Sequence, residues 1–129
     1  MPTVLIVDDE PDNIELLGRR LTRRGFAVIS ATSAEEGIAK AVAERPQIIL
    51  MDVKMPQVDG LEASRRLKAD EATKAIPIIM LTAHAMAEDR ELALAAGANE
   101  YESKPVDLPR LLEKMARLLG GETAAAATP

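Results

Sequence analysis

Cysteine is absent from the 129 residues, which excludes disulfides and thiolate metal sites. Tryptophan is absent too, and Phe26 and Tyr101 are the only aromatic residues. Two isolated rings cannot build a base-stacking platform for single-stranded nucleic acid. No apolar run approaches the roughly 18 residues needed to span a bilayer. The N-terminal MPTVLIV lacks a basic segment and a cleavage site, so no export signal is read and the cytoplasm is the expected compartment. The net charge of −5 disfavours sequence-independent binding to nucleic acid. With 47% hydrophobic and 29% charged residues, the composition is that of one globular domain with a full core.

What is present is a set of short apolar runs. Val4–Val7, Ile48–Met51 and Ile78–Leu81 each suit a strand buried on both faces, as in a parallel sheet. FAVISA (26–31) and ANEYES (98–103) are weaker strand candidates, the second polar enough for a sheet edge. Helical patterns lie between them. DNIELLGRRLTRRG carries Ile14, Leu17 and Leu21 on one face and ends at Gly25, a C-terminal cap signal. SAEEGIAKAVAER opens with Ser33 and Glu36 at capping-box spacing. GLEASRRLKAD sets Leu61, Ser64, Arg65 and Lys68 at helical spacing, and AEDRELALAAGA stops near Gly97. The last pattern repeats Leu108, Leu111, Leu112, Met115, Leu118 and Leu119 before Gly120. Strand–helix alternation repeated five times predicts an α/β sandwich with right-handed crossovers. The segment 120–129 loses the pattern and is expected to be a flexible Ala-rich tail after a domain spanning 1–119.

Two of the apolar runs end in acid. VLIV is followed by Asp8 and Asp9, and IILM by Asp52. In a doubly wound sheet, ligands sit outside the carboxyl ends of the strands, where strand order reverses. If the first and third strands are neighbours, these three carboxylates converge, and without a cation they repel and take up protons. Mg²⁺ suits such a set, because it accepts a few carboxylates and keeps several waters. Singly, each Asp could instead be a helix N-cap. Thr82 and Lys104 close the fourth and fifth strand candidates, where a hydroxyl and an ammonium could hold a phosphoryl oxygen.

This combination resembles the receiver domain of two-component response regulators over residues 3 to about 119. The matching features are Asp8–Asp9, Asp52 ending an apolar strand, MPQVDG with Pro56 and Gly60, Thr82–Ala83, Tyr101, and Lys104–Pro105. Asp52 and Thr82 lie 30 residues apart (82 − 52) and Thr82 and Lys104 lie 22 apart (104 − 82). The resemblance implies a flavodoxin-like fold with strand order 2-1-3-4-5 and a cis peptide at Lys104–Pro105. It implies that Asp52 is the phosphoacceptor and that Asp9 holds Mg²⁺ directly, Asp8 mainly through water, and Lys54 through its backbone carbonyl. Lys104 is implied to bind the phosphoryl group. Thr82 would join after phosphorylation while Tyr101 turns inward, and residues 83–103 with the last helix would form the output surface. Lys54, Ala83 and His84 would form the rim that tunes water access. Implied partners are a sensor histidine kinase or histidine phosphotransfer protein, docking near the basic first helix (Arg19, Arg20, Arg23, Arg24), and a downstream protein target; neither nucleic acid nor membrane is expected. Enzyme is a partial description, since the product is the domain's own modified state. A freestanding regulator is the expectation, with excision from a longer protein as the alternative.

Two other classes remain open at this level. One is an Mg²⁺-dependent phosphatase with an Asp nucleophile, of the haloacid-dehalogenase kind. Those enzymes place that residue on the first strand, usually in a D-x-D motif, which Asp8–Asp9–Glu10 does not match. The other is an unmodified, receiver-like binding module.

Overall fold

A computed structural model describes residues 2–55, 57–83 and 87–120, with the side chains of 87–89 outside that description. The chain alternates strand and helix throughout: β1 (Thr3–Val7), α1 (Pro11–Arg23), β2 (Ala27–Ala31), α2 (Ala34–Glu44), β3 (Ile48–Asp52), α3 (Gly60–Ala69), β4 (Ile78–Thr82), α4 (Ala87–Ala95), β5 (Glu100–Ser103) and α5 (Leu108–Leu118). The five strands form one parallel sheet in the order β2-β1-β3-β4-β5. No helix among the described residues is long and apolar enough to cross a membrane.

The apolar runs become the central strands because both of their faces are covered. Leu5, Val7, Ile49, Met51, Ile78 and Met80 pack on one side with Ala34, Ala41, Ala63, Leu67 and Ala93, from α2, α3 and α4. Val4, Ile6, Ile48, Leu50, Ile79 and Leu81 pack on the other with Leu17, Leu21, Leu111 and Met115, from α1 and α5. Strand side chains alternate between faces, so an unbroken apolar run serves both cores at once. The edge strands β2 and β5 are only partly buried, which explains their weaker sequence signal.

Helix ends follow local chemistry. Gly25, at φ 93°, stands just past α1, where the left-handed conformation costs glycine little. Ser33 caps α2 by accepting from the Glu36 N–H at 3.1 Å. The return half of the capping box differs from expectation, because the Glu36 carboxylate accepts from the Thr32 N–H (2.7 Å) and hydroxyl rather than from Ser33. The Thr32 bond is the main reason Glu36 titrates below the ordinary carboxylate range. On α3, Gly60, Ala63, Ser64 and Leu67 are buried and Leu61 packs partly buried against the core, whereas Arg65 is exposed. The cause is the start of the helix. Gly60 abuts the Asp52–Val53 backbone and donates its N–H to the Val53 carbonyl at 2.9 Å, which fixes the phase of α3.

Candidate phosphoryl and metal site

β1 has β2 on one side and β3 on the other, so strand order reverses between β1 and β3. A crevice opens there at the carboxyl ends. Val7 is paired with Met51, so the residues that follow, Asp8 and Asp52, leave the sheet side by side. Asp8, Asp9 and Asp52 each offer an oxygen within 4.8 Å of the others. Asp8 and Asp52 are buried, and Asp9 is more open to solvent. Lys104 reaches in from beyond β5 and donates from Nζ to Asp52 Oδ1 at 3.1 Å and to Asp8 Oδ2 at 3.3 Å.

Each side chain is held by its own local structure. Asp8 Oδ1 accepts from the Glu10 N–H at 2.9 Å, and Oδ2 is approached by Asn13 Nδ2 at 3.4 Å. Lys104 is fixed through its backbone, donating its N–H to the Thr82 carbonyl at 2.7 Å, and the Lys104–Pro105 peptide is cis. Thr82 ends β4 and is buried; Asp52 pairs with Leu81, which puts Thr82 one residue beyond the level of Asp52 on the neighbouring strand. Asp9, Lys54 and Asp59 line a shallow depression with Val53 and Met55, so the Lys54 segment borders the acidic cluster. Ala83 is exposed at the rim. His84 and Pro56 lie outside the described residues, as does the tail from 121.

Burial dominates the electrostatics of the pocket. Burial pushes the Asp52 carboxyl above its ordinary value; Lys104 opposes the shift, and Asp8 and Asp9 add to it. Burial alone would lower the Lys104 ammonium, but Asp52 and Asp8 attract it and raise it overall. Lys104 therefore stays charged across neutral pH. The three carboxylates offer only oxygen ligands, and Lys104 meets two of them, Asp8 and Asp52. That donor set fits a hard divalent cation.

The α1 arginines divide. A helix of this length spans about 20 Å, so α1 starts beside the acidic cluster and runs back to the amino-terminal ends of the strands. Arg20 lines a groove of about 450 Å³ with Asp8, Asn13, Leu16, Lys104 and Pro105. Arg23 and Arg24 sit at the far end, next to the Gly25–Phe26 turn that leads into the Ala27–Pro2 hydrogen bond. Arg19 pairs instead with Glu15, so of these four arginines it is Arg20 that lines the groove beside Asp8 and Lys104.

The sequence reading missed a second ionic cluster. Glu102, in β5, is 1% exposed and accepts from Arg110 Nε and Lys114 Nζ, both at 2.8 Å. That contact holds the Arg110 guanidinium above its usual pKa. The sequence holds only part of the signal: Arg110 and Lys114 lie four apart on the last helix, and the fifth strand carries two acids, Glu100 and Glu102.

Comparison with known proteins decides the family. The model of the response regulator receiver domain matches residues 4–116. The chain belongs to the response regulator receiver domain family. Receiver domains are phosphorylation-dependent switches of two-component signalling. They generally bind Mg²⁺ at the acidic pocket and take phosphate from histidine kinases or phosphotransfer proteins. This receiver domain is 37% identical over 121 residues to Protein PilH of Pseudomonas aeruginosa, covering 94% of this chain and 100% of PilH. It is 37% identical over 119 residues to the DNA-binding dual master transcriptional regulator RpaA of Synechocystis, covering 92% of this chain; it spans about half (49%) of that protein. Among solved structures, the receiver domain of sensor histidine kinase PA1611 from Pseudomonas aeruginosa superposes with a TM-score of 0.85 at 34% identity, over 92% of this chain and 98% of that one. That structure has a magnesium ion coordinated in the active site cleft.

Proposed function

We propose that Asp52 accepts a phosphoryl group from a phosphohistidine on a partner protein and that the modified domain changes its surface through Thr82 and Tyr101. The observation that carries this reading is the convergence of Asp8, Asp9 and Asp52 within 4.8 Å, with Lys104 bridging Asp52 and Asp8. An oxygen of Asp52 forms the new bond to phosphorus while the donor's N–P bond breaks and its electron pair stays on the imidazole. The product is an aspartyl phosphate. Asp8, Asp9 and Asp52, with the Lys54 carbonyl, are the groups that would hold Mg²⁺. Bound there, the ion supplies neutralisation of the phosphoryl oxygens and a template for in-line attack. Lys104 keeps an ammonium against Asp52 and orients it toward the crevice. Thr82, buried one residue beyond the level of Asp52 on β4, would meet the incoming phosphoryl charge with its hydroxyl.

Trapping separates this reading from its rivals. With acetyl phosphate and Mg²⁺, the wild type is expected to reach one acid-stable, alkali-labile phosphate per chain. Continuous release of phosphate with no trapped population would instead indicate a phosphatase, and no reaction at all a passive binding module.

Mg²⁺ itself is expected to stabilise the fold. At ten times its dissociation constant it contributes about 1.4 kcal/mol, which raises the melting temperature by about 5 °C in a domain of this size. Asp9→Ala should remove most of that shift. An unchanged melting curve with millimolar Mg²⁺, or a full shift in Asp9→Ala, counts against the proposed ligand set.

Thr82→Ala is expected to accept phosphate within about threefold of the wild type, since Asp52 and Lys104 remain. Its partner binding should no longer respond to the modification. Equal binding by phosphorylated mutant and wild type would exclude Thr82 from the switch.

A further inference from the structure

The Tyr101 ring is held by a cation anchored on another element. Tyr101 pairs with Met80 and packs against the core beneath α2, α3 and α4, while its neighbour Glu102 points to the opposite face, under α5. Lys114, on α5, connects the two faces around the open edge of the sheet. Its Nζ donates to Glu102 Oε1 at 2.8 Å and to the Tyr101 carbonyl, and it stands 5.6 Å from the centre of the Tyr101 ring. Tyr101 donates its N–H to Glu100 Oε1 at 3.1 Å, so both of its backbone polar groups are bonded to side chains. A cavity of about 260 Å³, lined by Tyr101, Glu102, Ser103, Arg110 and Lys114, adjoins the contact.

We infer that Lys114 is a positioning residue that sets the resting balance of the Tyr101 switch. The inference rests on the proposed inward turn of Tyr101. Glu102 is buried and would be left half-paired if Lys114 withdrew, so the ammonium stays at the strand edge whichever way the ring points. Its bonds to Glu102 and to the Tyr101 carbonyl do not depend on the ring. The cation–π contact does, because it exists only while the ring lies under the ammonium. Lys114 therefore favours the present ring position. An inward turn, or a partner that removes the ammonium, gives up that contact, so events at α5 and at the phosphoryl site are linked through one ring.

Tyr101 is the only tyrosine, so ring-labelled tyrosine produces a single assignable set of resonances. The protein is titrated with beryllium fluoride at fixed Mg²⁺ as a phosphoryl mimic. In the wild type the ring resonances are expected to move. In Lys114→Met they should start displaced toward the beryllofluoride-bound position, and the midpoint should fall about two- to fivefold, the worth of one cation–π contact. Lys114→Arg, which keeps a cation over the ring, should return both readouts toward wild type. If loss of the Glu102 partner unfolds Lys114→Met, the double variant E102L/K114M removes the buried acid as well and carries the same expectation. Wild-type and Lys114→Met titrations that coincide overturn the role of Lys114 and leave the switch intact. A wild-type ring that does not move overturns the switch itself, and this inference with it.

Discussion

Asp52→Asn is expected to lower phosphate incorporation by at least about a hundredfold while leaving the metal-free fold no less stable than the wild type. The first half follows from nucleophilicity: an amide oxygen does not form a stable acyl phosphate. The second follows from the pocket. Burial, together with Asp8 and Asp9, raises the Asp52 carboxyl above its unfolded value, so ionised Asp52 is a cost to the folded state at neutral pH. Lys104 loses one partner in the variant but keeps Asp8 at 3.3 Å. The sign for pH follows. The folded state binds the Asp52 proton more tightly than the unfolded chain does, so in metal-free buffer this group makes wild-type stability rise as pH falls through its raised range. Asp52→Asn lacks that contribution, so its advantage over wild type shrinks on acidification and disappears when Mg²⁺ is added to the wild type. Thermal melts with EDTA and with Mg²⁺, at neutral and mildly acidic pH, test this. A variant that melts well below the metal-free wild type at neutral pH would show that the three carboxylates are not in conflict.

Gly60→Ala is expected to be the most damaging single-methyl change in the domain. A Cβ at Gly60 would stand 2.2 Å from the Asp52 carbonyl oxygen and 3.0 Å from the Asp52 carbonyl carbon and Val53 Cα. These are backbone atoms, so no side chain can swing aside. Either α3 lifts off β3 or the end of β3 is displaced, and Asp52 moves with it. Overpacking of this kind costs on the order of 3 kcal/mol, or about 10 °C of melting temperature for a chain this long. Mg²⁺ affinity should fall as well, because the same strand end carries a ligand. Alanine at Gly25, where nothing lies within 4 Å, faces only the backbone penalty of its φ of 93° and should cost about 1 kcal/mol. A Gly60→Ala protein with wild-type melting temperature and Mg²⁺ affinity would refute the close approach.

The two glycines and the acids mark how far sequence carries. Asp52 was legible because it interrupts an apolar run, and the run's own pattern put it at the carboxyl end of a buried strand. Its convergence with Asp8 needed only the order of strands. Gly60 stood in a motif, but its contact with the Asp52 carbonyl depends on the path of the chain through 53–59, which no periodicity encodes. The helical spacing of Leu61, Ser64, Arg65 and Lys68 named no inward face; a helix pressed against β3 at Gly60 turns Ala63, Ser64 and Leu67 inward. Glu102 escaped because a polar strand at a sheet edge normally faces water; only the three-dimensional placement of α5 shows that Arg110 and Lys114 close over it. Arg23 and Arg24 were grouped with Arg20 by adjacency in sequence, although helix length carries them to the opposite, amino-terminal ends of the strands.

The most direct test is to locate the phosphoryl group. Wild-type protein is treated with acetyl phosphate, with Mg²⁺ or with EDTA, and followed by intact mass and then by peptide mapping. One added phosphoryl group on the Ile48–Asp52 strand, confined to Asp52 and present only with the metal, is the predicted result. A modification on His84 or on any residue outside the Asp8–Asp9–Asp52 cluster, or one formed equally well in EDTA, would contradict it.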